Sequence, residues 1–296
     1  MRFLTECLVC LGRDFTTRIE TTFTGAPLDA AQFFLANRHA VVHGRIQRCN
    51  HCGFTFTNPQ FSPDEYDEIY KNAPGPSDSN ISMDEADARR FSRLAKKVRS
   101  DVGRFDRFLD FGCGRGGFLS AMNDPAGVGF DVGEPGNFSV GPCQVTTGRL
   151  FDIVGSPEFE KESFDLITAI YVFEHLPQLD KYVEVLRGLL KPGGHLVTVL
   201  PDAGSWAAKL SGNRWNNYLL EHLWYFDKNK LKIFMERAGF HLTRHRTEPY
   251  DAPLAHIVRR VAQTYGLSAP RLGPVLSRVV FPVPIGLMYD VFKRPS

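Results

Sequence analysis

The 296-residue sequence has no apolar run approaching the roughly 20 residues that a helical membrane span requires. It also lacks a strong charge of either sign. Thirty-five lysines and arginines face 33 aspartates and glutamates, a formal balance of +2. No long basic tract interleaved with aromatics occurs, so a nucleic-acid partner is not expected. Arg2, Glu6, Arg13 and Asp14 interrupt the amino terminus, which leaves no secretory apolar segment and makes the cytoplasm the expected compartment. Six cysteines are too few at this length for a dense disulfide framework. What is present, 43% apolar and 23% charged residues, suits a globular α/β core with a small appended module.

Four of the six cysteines are paired at metal-ligand spacing: Cys7-Leu8-Val9-Cys10 and Cys49-Asn50-His51-Cys52. Each Cys-x-x-Cys turn can aim two thiolates at one ion, and two such turns make a closed tetrahedral Cys₄ site, the usual structural zinc arrangement. Gly12 and Gly53 suit the tight knuckles, and His51 is not needed as a ligand. Partly alternating stretches at 15–23 and 40–47 predict ribbon strands, with a short helix over 30–36 between them. Residues 1–60 are thus expected to form a zinc ribbon, and 61–104 a helical linker region. In the linker region, Ser62-Pro63 starts one helix, 72–80 is a surface loop, and 85–98 is an amphipathic helix burying Phe91, Leu94, Ala95 and Val98.

The chain is organised around the stretch from Phe105 to Leu119. A short apolar run ends at Asp110, and Gly112-Cys113-Gly114-Arg115-Gly116 leads into a helix, the opening of an α/β nucleotide-binding unit. Its glycines allow a tight turn and let a ligand lie against the backbone. The spacing is neither a dinucleotide fingerprint nor a P-loop, since the lysine and Ser/Thr of a triphosphate cradle are missing. A second strand, 127–131, ends at Asp131, where a carboxylate can accept both hydroxyls of a ribose. The third strand is either 151–155 or 144–147, the latter placing Asp152 nearer the ligand. A buried strand at 164–170, a helix at 180–190, and the Lys191-Pro192-Gly193-Gly194 turn into another strand complete the pattern.

Asp110-x-Gly-Cys-Gly-x-Gly resembles the first motif of the class I S-adenosylmethionine-dependent methyltransferases. Phe164-Asp165-Leu166-Ile167 with Glu174-His175-Leu176, and Leu190-Lys191-Pro192-Gly193-Gly194, are similar to later segments of that family; together the matches run from about 105 to 245. The resemblance implies a Rossmann-like seven-stranded sheet over 105–296 and S-adenosylmethionine as cofactor. It assigns Asp110, Gly112, Cys113, Gly114 and Gly116 to the donor loop and Asp131 to the ribose. Ser156 and Glu158 occupy the adenine loop, while Tyr171, Val172, Glu174 and His175 fall nearest the transferring methyl. Glu174 serves equally well in holding the helix start.

The aromatic segment 205–226 is expected to be a lid over the acceptor, followed by a helix to Gly239 and a strand at 240–246. His222 is the first choice for a substrate-proton acceptor, His175 the second, and Tyr225 a third candidate. A helix over 253–265, a long insertion at 251–284 forming an acceptor wall or homodimer surface, and a last strand at 285–293 complete the chain. The cysteine pairs extend the resemblance to sugar methyltransferases, so the expected acceptor is a small molecule such as a sugar, a glycan precursor or a secondary metabolite. The other classes are an RNA or protein methyltransferase that recognises its target with the ribbon, and a noncatalytic binding module.

Overall fold

The computed structural model describes residues 1–34, 42–73, 81–132, 136–265, 267–268 and 279–296. Residues 74–80 of the expected 72–80 loop, the first residues of the 40–47 strand, and 266 and 269–278 of the expected 251–284 insertion lie outside them. The chain divides into two compact units, each built from separated pieces of sequence. The first comprises Met1–Asp87, Pro201–Lys230 and Glu248–Leu287, and the second Ala88–Leu200, Leu231–Thr247 and Met288–Ser296.

In the first unit, β1 (Phe15–Ile19), β2 (Ile46–Cys49) and β3 (Thr55–Thr57) form an antiparallel meander. One 3-10 turn, Pro27–Phe33, falls between β1 and β2. Ser62 and Glu65 form a reciprocal capping box at the start of α1 (Pro63–Asn72), satisfying amides that a helix start leaves open. The helix α2 (Ile81–Val102) follows and runs on into the second unit.

The second unit holds most of an eight-stranded sheet. Its elements in chain order are β4 (Phe108–Phe111), α3 (Gly117–Met122), β5 (Gly127–Asp131), β6 (Gly136–Val140), β7 (Cys143–Thr147), α4 (Leu150–Ile153), β8 (Phe164–Ile170), α5 (Leu179–Leu189) and β9 (Leu190–Pro201). After these come α6 (Trp206–Ser211) and β10 (Trp224–Tyr225) of the first unit, α7 (Lys228–Arg237), β11 (His241–Pro253), α8 (Leu254–Thr264) and β12 (Val280–Lys293). The order across the sheet is β11-β12-β9-β8-β4-β5-β7-β6. β9, β8, β4, β5 and β7 run parallel, and β6 returns antiparallel on β7. Against the seven strands expected, β6 is the extra one. Of the two alternatives for the third strand, 143–147 is the one that pairs, while Leu150–Ile153 turns into a short helix.

Phe108 and Phe111 lie three residues apart on β4 and so face opposite sides of the sheet. Phe108 joins Leu94, Ala95 and Val98 of α2 and Phe118, Leu119 and Met122 of α3 in one buried cluster. Phe111 stacks on Phe130 at 5.7 Å and meets Tyr182 of α5 at 6.1 Å. Both faces are therefore covered, as parallel strands require. The Pro192-Gly193-Gly194 turn is absorbed as an irregularity in β9, where the register slips between Phe164↔Leu190 and Leu166↔His195. From β4 the chain moves to β5 and β7 on one side, then crosses to β8 on the other. That reversal opens a crevice outside the carboxyl ends of β4 and β8.

Candidate functional site

The glycine loop sits at that reversal. Gly112, Gly114 and Gly116 all have positive φ (+73°, +54° and +78°), a region that side chains strain to enter. Packing adds a second demand at two of them. A Cβ on Gly112 would stand 2.3 Å from Val172, and one on Gly116 would stand 2.5 Å from Val140. At Gly114 the nearest atom is an oxygen of Asp131, 4.0 Å away. The middle glycine therefore presents bare backbone, which is where a ligand can lie.

Two carboxylates flank the loop. Asp110 is buried, and its Oδ1 accepts a 2.7 Å hydrogen bond from the Thr168 hydroxyl. Burial pushes its pKa up to about 7; the Thr168 hydrogen bond opposes the rise and the charge of Asp131 adds to it. Asp131 ends β5, and its Oδ2 accepts the Gly114 amide. Burial raises its pKa also, against the lowering effect of the Gly114 and Val132 amides. The Cys113 thiol is buried and pushed far up, first by desolvation and then by the two aspartates, so it is a packing group rather than a nucleophile.

Tyr171 follows β8 with φ +60°, an unusual state for a non-glycine residue and a frequent mark of functional sites. Its amide donates to the Val199 carbonyl at 2.7 Å, and the Arg90 guanidinium lies 5.0 Å from its ring centre. His175 is in the next turn, its amide donating to Val172 at 2.9 Å. The structure thus brings Asp110, the loop, Asp131, Tyr171 and Val172 to the carboxyl ends of adjacent strands.

Ser156 and Glu158 are placed differently. The Glu158 carbonyl accepts from Arg107 at 2.7 Å, and Arg107 precedes β4 at the opposite end of the strand from Asp110. Its guanidinium also covers Phe164, the first residue of β8. Glu158 thus sits beside the amino ends of the strands. Ser156 lies in a turn whose amide bonds to Ile153 at 3.0 Å. The residues that do reach the carboxyl end of β7 are Gly148 and Arg149, the Gly148 amide donating to the Asp131 carbonyl at 3.1 Å. The rival strand assignment at 144–147 was the signal that could have found them.

His222 and Tyr225 belong to the first unit. The His222 Nδ1 is 2.9 Å from the Asn217 carbonyl. A carbonyl only accepts, so Nδ1 carries the proton in the neutral ring and Nε2 is the basic nitrogen. The Tyr225 hydroxyl donates to the His222 carbonyl at 2.9 Å and lies 3.3 Å from the Thr57 hydroxyl. Burial drives the Tyr225 phenol far above its ordinary range. Its hydroxyl contacts and its pairing with Thr55 join β10 to the meander.

Cys7, Cys10, Cys49 and Cys52 converge in the same unit, with all four sulfurs within 4.8 Å of one another. Cys7 and Cys52 are 3.6 Å apart, and Cys10 and Cys49 are 3.5 Å apart. A tetrahedron with metal–sulfur bonds of about 2.3 Å has edges of about 3.8 Å, so the cluster fits such an ion. Two matching turns shape it. Leu11 (φ +61°) donates to the Cys7 carbonyl at 2.9 Å, and Gly53 (φ +76°) donates to the Cys49 carbonyl at 2.8 Å. Desolvation raises the Cys7 and Cys52 thiols, Cys52 to about 11. At Cys49 burial is outweighed by the amides of Cys52 and His51 and by the thiols of Cys10 and Cys7, and its pKa falls.

Residues 82–245 match the family model described as a methyltransferase domain. The 27-O-demethylrifamycin SV methyltransferase of Amycolatopsis mediterranei is 27% identical over 128 residues, which is 40% of this chain and 46% of that protein. A ubiquinone biosynthesis O-methyltransferase of Vibrio atlanticus is 27% identical over 115 residues, 36% of this chain and 47% of the relative. The chain thus spans about half the length of these curated relatives. Among solved structures, a chain from the complex of the Haloferax volcanii Trm112 methyltransferase activator with a methyltransferase superposes with a TM-score of 0.50 at 16% identity. It covers 73% of this chain and 94% of its own, a likeness of fold alone.

Proposed function

Because the chain belongs to the methyltransferase-domain family, we propose that it transfers a methyl group from S-adenosylmethionine to a small-molecule acceptor, a sugar, glycan precursor or secondary metabolite. The observation that carries this reading is the crevice of Asp110, the open Gly114 backbone and Asp131 at the topological reversal of the sheet. Asp131 accepts the ribose hydroxyls, exchanging the Gly114 amide for two hydroxyl donors. Asp110, buried and poised near neutrality, supplies negative potential to a cationic ligand. The cofactor supplies an electrophilic methyl on a sulfonium.

What remains for the protein is to align the acceptor and take its proton, and alignment is the larger contribution. His222 is the first choice of base because its Nδ1–H is anchored on a carbonyl, leaving Nε2 basic; His175 is the second. Tyr225 is assigned to holding β10. The Cys₄ cluster holds a structural zinc, since four thiolates close the coordination sphere. Incubating the purified protein with methyl-labelled cofactor and pooled sugar nucleotides, other small metabolites, RNA and protein, then identifying the labelled product by mass, tests the reading. A labelled small molecule is expected; label appearing only on RNA or protein overturns the acceptor class. Absence of calorimetric binding of S-adenosylhomocysteine removes the donor site itself.

A further inference from the structure

We propose that the first unit carries an oxyanion-binding cleft, built on the polar face of its four-stranded sheet, that takes a small ring-bearing molecule with a phosphate or carboxylate group. Pairing places Thr16 of β1 opposite Arg48 of β2, Arg48 opposite Thr55 of β3, and Thr55 opposite Tyr225 of β10. Paired residues share a face, so these four make one polar row across the whole sheet. The adjacent row, with Phe56 and Trp224 paired, carries the aromatic stack on the other face. The polar row lines a cavity of about 550 Å³, within the range of small-molecule pockets.

The charge in this cleft is one-sided. Arg18, Arg48 and Lys230 line it against a single acid, Asp227. That acid is already engaged, its Oδ1 accepting the Lys230 amide at 2.9 Å and its Oδ2 lying 3.6 Å from the Lys230 ammonium. Among the described residues no ion pair holds Arg18 or Arg48. Arg18 is steered by Asn213 at 3.3 Å and by the Tyr218 ring, 5.9 Å below its guanidinium. Arg48 arches over Gly53, where a Cβ would come 3.2 Å from its Nη2. Two guanidinium forks offer the bidentate donors that match phosphate and carboxylate. Beneath them the buried Tyr218 and Tyr225 rings, 4.9 Å apart and nearly perpendicular at 77°, make an edge-to-face aromatic floor.

The test titrates the full chain with pyrophosphate, uridine diphosphate and citrate at low salt, read by tryptophan fluorescence. Trp215 packs on Tyr218 at 5.4 Å and reports the floor. Saturable binding is expected, weakening with added salt and at least about tenfold in R18A/R48A, the loss of one to two charge-assisted hydrogen bonds. S-adenosylhomocysteine affinity, measured by calorimetry on the same samples, should stay within about twofold, because its site uses none of these residues; this also confirms that the variant folds. Preference for the phosphates over citrate identifies a phosphate ester as the ligand class, and the reverse preference a carboxylate; either supports the cleft. No saturable binding of any probe, or binding unchanged in R18A/R48A, overturns it. A failed cleft with intact donor binding leaves the methyl-transfer reading standing.

Discussion

Asp131 holds the Gly114 amide, and in the donor site proposed here the same carboxylate would accept the ribose hydroxyls. Asp131→Ala should weaken S-adenosylhomocysteine binding by about ten- to a hundredfold, the equivalent of about 1.5–3 kcal/mol for hydrogen bonds to a charged group. Calorimetry checks it, and an unchanged affinity would remove the carboxylate from the donor site. Gly112→Ala meets both a positive φ and Val172 at 2.3 Å. It should cost about 1–3 kcal/mol from backbone strain alone, visible as a lowered urea midpoint. Among the bases, His222→Ala is expected to lower kcat by about 10²–10⁴ with donor affinity intact. If only His175→Ala does so, the assignment passes to His175.

In the first unit the four cysteines stand where they join short elements. β1, β2, β3 and β10 are short, with five, four, three and two residues, and strands this short have little stability on their own. The Cys49–Cys52 knuckle joins β2 to β3, and Cys7–Cys10 precedes β1, so the zinc proposed for this cluster would tie three strands. One equivalent of zinc per chain is expected by elemental analysis, and chelation should unfold this sheet. All three tryptophans, Trp206, Trp215 and Trp224, belong to the first unit, so their fluorescence follows it specifically. Chelation that leaves the emission unchanged would show that the sheet stands without metal. The segment expected to be a lid supplies β10, and Trp224↔Phe56 pairing makes it the fourth strand of that sheet. Local pattern showed aromatic density but not its partner, because two-residue strands carry no period to read.

For the molecule as a whole, Asp110 sets a pH dependence. Its pKa rises from 3.8 to about 7 on folding, so between those values the native state holds a proton the unfolded chain has released. Stability therefore falls as pH rises from about 4 to about 7 and levels off above. The span is worth up to about 4 kcal/mol. Urea unfolding followed by circular dichroism should show this decline in the wild type and a flatter curve in Asp110→Asn. A wild-type curve no steeper than the variant's would mean that Asp110 ionises normally. Among the described residues no helix is long and apolar enough to cross a membrane.

Periodicity and turn chemistry carried much of the second unit. β5 and β8 of that unit coincide with the stretches read from sequence, and in the first unit the start of α1 follows from Ser62-Pro63 with Glu65, because each depends on neighbours a few residues away. The converging cysteines were legible for the same reason, each pair being a local turn. What only the tertiary structure decided was the choice between 143–147 and 151–155 as a strand, the placement of Glu158 beside the amino ends, and the recruitment of β10. Each of these turns on which distant segment a strand pairs with or a loop packs upon. Hydrogen bonds across a sheet join residues far apart in the chain, and no local pattern records which partner will win.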